Sequence, residues 1–241
     1  MIFPIGDDNV KGGFYPLFTY IFLAANVLIF LTTRENTVFN NTFSANPCEL
    51  TAGQDLFTAF TSMFLHANFM HLLGNMLFLW IFADNIESTI GNLRFALFYI
   101  LGGLAAVAVH LMIGTGGNCI PMVGASGAIA AVMGAYFVMF PKSRIKMLFF
   151  IKIFRIPAFL FLGLWIVQQI MSGFSQLPGL KDMDGGGVAF WAHIGGFVFG
   201  VLAGLVFKTR FPKISEQENT ELSQPEYRSV NVPAKRYNNR F

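Results

Sequence analysis

The chain has 241 residues, of which 54% are hydrophobic and only 12% charged, with a mean hydropathy of +0.57 and a net charge of +3. A soluble domain of this length carries roughly twice that charged fraction, and 29 Phe with 11 Met exceed what one soluble core needs. Composition thus excludes an ordinary soluble domain, the weak charge argues against a nucleic-acid partner, and the medium implied is the lipid bilayer.

In chain order, residues 1–14 read as a short cytoplasmic leader containing Asp7, Asp8 and Lys11, with no removable signal peptide. Six apolar stretches follow: Leu17–Thr32, Phe69–Ala83, Phe95–Ile113, Met122–Phe140, Ile156–Ser172 and Val188–Phe207. Several lie near the lower limit of about 17 residues for a spanning helix, which is expected where helices are buried in a bundle or line water. The connection from Thr33 to about Phe60 is Asn-rich and then apolar. Its length calls for structure of its own, here short helices in the outer interface. The tail, residues 208–241, is polar and expected to be disordered.

With the N-terminus inside and six alternating spans, 14 of the 16 Lys and Arg fall on the inner side, leaving Arg34 and Lys181 outside. This charge bias predicts an N-in, C-in topology. The basic loop Lys142–Arg155 then faces anionic headgroups. Cys48 and Cys119 both fall outside, where a disulfide and two free thiols are equally compatible with the sequence. No internal repeat is visible, which weakens a transporter reading.

Polar and ionisable groups at membrane depth are expensive and mark candidate sites. Ser126, in Gly124-Ala125-Ser126-Gly127, and His193 each lie a few residues into spans that run from outside to inside. At 1.5 Å per residue this places both roughly 6–9 Å below the helix starts. A histidine can activate a serine only at hydrogen-bonding range, so the two helices must pack closely. Ala192, Gly196, Gly200 and Gly204 form a small-residue stripe, matched by Gly127, Ala131 and Ala135. Such stripes mark close helix contact in lipid, with or without catalytic meaning. His71 and Asn75, four apart, project from one face of the second span. They either bridge helices or, with the Ser126 N–H, supply donors for an oxyanion.

Taken together, these three elements resemble the rhomboid family of intramembrane serine proteases: His66, His71 and Asn75 in the second span, Gly124-Ala125-Ser126-Gly127 in the fourth, and Ala192-His193-Ile194-Gly195-Gly196 in the sixth. The resemblance covers residues 15–207. It implies an all-α integral membrane protein, a six-helix bundle whose outward-facing site cuts single-span membrane proteins. It implies Ser126 as nucleophile and His193 as general base with no acidic third member, and His71 and Asn75 as oxyanion donors. Gly124, Gly127 and His66 are supporting residues, His66 ordering the outer loop. Glu87, Gly91 and Arg94 match the turn after the second span, with Glu87 and Arg94 as a structural pair or as helix caps. No metal or organic cofactor is implied. His110 has no place in the pattern and is read as interfacial or helix-bridging. Asp182 and Asp184 read as a solvated loop face. The loop Phe174–Gly187 is read as a lid, and the fifth span, with Gln168 and Gln169, as the side of substrate entry. The compact form suggests a bacterial inner membrane. A catalytically silent rhomboid-like factor that binds membrane proteins is the alternative; oligomeric state and physiological substrate stay open.

Overall fold

Burial and helix length together organise the chain around one short central helix. The computed structural model describes residues 2–8, 13–114, 119–175 and 189–211. Its helices are α1 (Leu17–Thr33), α2 (Thr37–Phe43), α3 (Pro47–Thr51), α4 (Thr58–Thr61), α5 (Phe69–Ile90), α6 (Asn92–Val109), α7 (Ser126–Met139), α8 (Ala158–Ser175) and α9 (Phe190–Arg210). A 3₁₀ turn, Ser62–Phe64, precedes α5, and α6 runs on into a π turn, His110–Gly114. Among the described residues, four helices are long and apolar enough to cross a membrane: α5, α6 with its π turn, α8 and α9; α1 and α7 are shorter apolar helices.

α7 has 14 residues, 11 of them buried, and it contacts α5, α6, α8 and α9. At 1.5 Å per residue it is roughly 21 Å long, less than the ~30 Å hydrocarbon core of a bilayer. Irregular backbone at such a depth is tolerated where protein buries it. The sequence-based start of this stretch at Met122 is four residues early: residues 119–125 are non-helical, and Ser126 is the first helical residue.

Small side chains decide how α7 meets α9. A Cβ on Gly196 would fall on the carbonyl oxygen of Gly127, one on Gly200 on that of Ala131, and one on Gly204 would lie 2.8 Å from the Cα of Ala135. The differences 196 − 127, 200 − 131 and 204 − 135 are all 69, so the two helices run parallel and in register. Both stripes identified in the sequence therefore meet each other, residue for residue.

The connection between α1 and α5 does fold into short helices, each started by local caps: Asn36 accepts from Phe39 N, and Asn46 accepts from Cys48 N. A disulfide joins Cys48 to Cys119. Beside it, Ala45 and Met122 exchange both backbone hydrogen bonds, at 3.0 and 2.8 Å.

An all-α description omits a three-stranded antiparallel sheet at the opposite end of the bundle: β1 (Ile2–Gly6), β2 (Arg144–Phe149) and β3 (Lys152–Pro157), in that order. The supposed leader and basic loop thus pair with each other. In β2, Ile145 and Met147 are buried against the bundle while Arg144 is exposed, the period-two pattern of a half-buried strand. Asp7, 3% exposed, anchors the leader: it accepts hydrogen bonds from Asn85 Nδ2 at 2.6 Å and from the Tyr136 hydroxyl. The Tyr136 and Ser143 hydroxyls share a further bond of 2.9 Å.

Glu87 is fully buried in α5 and caps a different helix. Its carboxylate accepts from Phe18 N, Thr19 N and the Thr19 hydroxyl at 2.7–2.8 Å, satisfying orphan donors at the start of α1 and meeting the positive end of its dipole. Arg94 donates to Ile90 O at 3.0 Å and lies over the Phe211 ring. Of the two sequence readings for these residues, the cap holds for Glu87 and the Glu87–Arg94 pair does not form.

Candidate active site

α5 begins where Asn68 caps it, its side chain accepting from His71 N at 2.9 Å. This fixes His71 in the first turn and Asn75 one turn further along the same face. The Gly124 backbone packs against both. A Cβ there would lie 2.8 Å from His71 Cε1 and Nε2 and 3.4 Å from Asn75 Nδ2. Gly124 also has φ +124°, a conformation that side chains disfavour, so both space and backbone require glycine. Its N–H donates to Ser62 O at 2.9 Å. The disulfide, the Ala45–Met122 pair and this bond hold the segment that delivers Ser126 at three successive points.

Ser126, half-buried, opens α7. The helical ladder starts with Ile129 N donating to Ala125 O, which leaves the N–H groups of Ser126, Gly127 and Ala128 without a carbonyl in that ladder. These donors carry the positive end of the α7 dipole. Asn75 is 8% exposed and its Nδ2 is buried with no hydrogen-bond partner. An unsatisfied buried donor costs roughly 1–3 kcal/mol. An unused donor of α5 thus packs against Gly124, two residues before Ser126 and the unladdered N–H groups of α7.

His193 comes from the first turn of α9. By the 69-residue register its level on α7 is that of residue 124, two residues from Ser126, or about 3 Å along the axis. Ser126 and His193 thus lie at similar levels along the helix axes, with Ser126 at the helix start and not part-way along. The ring is held from α8: Nδ1 lies 2.8 Å from Gln169 Oε1, and the Trp165 ring is 5.8 Å away, centroid to centroid. Gln169 is 6% exposed. Sequence reasoning placed it at an entry side and missed the contact. The available signal was an amide inside an apolar span, four residues from a tryptophan.

His66 lies outside α5, 6% exposed, its ring edge-on to that of His71 with 5.2 Å between centroids. Burial, aided by the neighbouring His71, pushes its pKa down to about 4. His110 opens the π turn, its Nδ1 buried without a partner and close to Gly114, which in turn abuts Trp191. Phe174 and Ser175 of the expected lid end α8. The remainder of that loop lies outside the described residues, with Asp182, Asp184 and the tail beyond Phe211.

The model of the Rhomboid domain family matches residues 53–210. The chain is 26% identical over 215 residues to the presenilin-associated rhomboid-like protein, mitochondrial, of Bos taurus, a match covering 84% of this chain and 53% of that protein. It is 32% identical over 125 residues to the rhomboid protease GluP of Bacillus subtilis, covering 50% of this chain and 24% of that protein. It is 28% identical over 168 residues to rhomboid-like protein 11, chloroplastic, of Arabidopsis thaliana, covering 68% and 56%. The chain spans about half the length of the curated relatives it matches. Two of these names are mitochondrial and chloroplastic, so the expected bacterial inner membrane is not supported. With two thirds of its length matched by the family model, the chain belongs to the rhomboid family.

Proposed function

We propose that this protein is an intramembrane serine endopeptidase in which Ser126 attacks and His193 is the base. The observation that supports this reading is the α7–α9 register, which sets His193 and Ser126 at nearly one axial level, with unused donors of Asn75 and of the start of α7 flanking Gly124 and Ser126. In the proposed reaction, His193 Nε2 takes the Ser126 proton as Oγ attacks a peptide carbonyl. The Asn75 amide, the His71 ring and the first N–H groups of α7 receive the resulting oxyanion. His193 then returns the proton to the leaving amine as the C–N bond breaks, and water releases the acyl group by the same steps.

Substrates are single-span membrane proteins that enter beside α8. That helix is the least enclosed of the four long ones, with 22% of its apolar window buried, and Leu164, Val167 and Met171 are exposed along it. Six spans with both termini inside account for the basic residues of β2 and β3, and a disulfide at the other end suits an oxidising outer side.

The test is cleavage of a single-span reporter in liposomes. Ser126→Ala and His193→Ala should each lower the rate by at least about 100-fold, the usual lower bound for losing an acid–base or nucleophilic group. Undiminished cleavage by either variant would remove the dyad, and absence of cleavage by the wild type would leave membrane-protein binding as the function.

A further inference from the structure

A histidine base needs its proton on the correct nitrogen. No carboxylate is present within the apolar helices α7 or α9, so the Ser126–His193 reading leaves open what orients the imidazole. We propose that Gln169 is the positioning residue for His193: its Oε1 accepts the Nδ1 proton, and so leaves the Nε2 lone pair for the Ser126 hydroxyl. The proposal rests on the dyad reading and adds a third member from a different helix.

Three observations carry it. The Nδ1–Oε1 separation is 2.8 Å, a full hydrogen bond. Gln169 is buried in a helix that is otherwise largely exposed, so its amide is kept out of water at a cost that only a partner offsets. Trp165, one turn earlier on α8, has its ring 5.8 Å from the same imidazole, centroid to centroid, so one helix supplies two neighbours of the ring.

The proton balance is simple. Neutral His193 carries its proton on Nδ1, bonded to Gln169, and accepts the Ser126 proton at Nε2 as the Oγ–C bond forms. The imidazolium keeps its bond to Oε1, now charge-assisted and stronger, until Nε2 delivers its proton to the leaving nitrogen. An amide cannot itself take a proton in this sequence. It selects the tautomer and orients the ring, which is all the proposal asks of it. The other titratable groups acting on His193 are His71 from α5 and His110 from the π turn.

Two variants test this in full-length protein in liposomes. Gln169→Met keeps the length and packing of the side chain but cannot accept the proton. It should lower kcat, and the rate of labelling by a fluorophosphonate, by about 10- to 100-fold, a part of the whole acid–base contribution, with KM and thermal midpoint held near wild type. Gln169→Glu restores an acceptor and adds a charge that favours the imidazolium. It should recover activity at alkaline pH and move the acid limb of kcat/KM upward by about 1 to 3 pH units. Gln169→Met labelling and cleaving within twofold of wild type, or a Gln169→Glu acid limb coincident with wild type, would overturn the role of Gln169. Failure of the dyad reading is separate, since it shows as cleavage by Ser126→Ala or His193→Ala whatever Gln169 does.

Discussion

Asn75 in α5 and His66 just before it are both buried polar side chains, and each makes a different prediction. Asn75 keeps an amide donor buried and unused beside Gly124. A residue that bridged helices would have spent that donor. Asn75→Ala should therefore lower kcat by about 100- to 1000-fold, the effect of losing one oxyanion donor, while the thermal midpoint stays unchanged or rises. A drop in both would mark Asn75 as structural. His66 makes a pH prediction. Its pKa is about 4 in the folded protein against about 6.5 unfolded, so between pH 6.5 and pH 4 the unfolded chain binds a proton that the folded one refuses. Its contribution to stability is complete above pH 6.5 and is lost as pH falls through that window. In His66→Phe the loss of stability between pH 7 and pH 5, measured by thermal unfolding in detergent, should shrink by up to about 2 kcal/mol.

At the scale of elements, the α7–α9 seam is the part of the site most fully legible in the sequence. Glycine and alanine at spacing four state which faces touch, because small residues let helix backbones approach closely in lipid. Gly200→Ala drives a methyl into the Ala131 carbonyl and should cost about 1–3 kcal/mol, the usual penalty for overpacking, with activity falling as Ser126 and His193 lose register. Gly163→Ala, whose new methyl meets only Phe137 at 3.9 Å on the neighbouring helix, should stabilise α8 slightly. Equal thermal midpoints for the two variants would refute the seam. The sheet was illegible because its strands are 138 residues or more apart at β1 and β2, and charge counting assigns Arg144, Lys146, Lys152 and Arg155 a side of the membrane without saying what they pair with. The Gln169–His193 bond was equally hidden: nothing in one sequence says which apolar face an amide will meet.

At the scale of the whole molecule, a disulfide ties the segment before α5 to the segment that delivers Ser126. The Cys48–Cys119 bond, with a sequence separation of 71, closes a loop that runs from α3 through α4, α5 and α6 and ends seven residues before Ser126. In a chain-entropy account such a closure contributes up to about 4 kcal/mol. Reduction, or Cys48→Ser with Cys119→Ser, should lower the thermal midpoint and slow cleavage together, because the segment that delivers Ser126 loses one of its three ties. Unchanged stability and rate after complete reduction would show that the Ala45–Met122 and Gly124–Ser62 bonds suffice.

Activation of Ser126 by His193 is tested by mass spectrometry of the protein after fluorophosphonate treatment in liposomes. A single phosphonyl adduct on Ser126 is expected, formed at least about 100-fold more slowly in His193→Ala. An adduct on any other residue, or an unchanged rate on Ser126 in His193→Ala, would contradict the account.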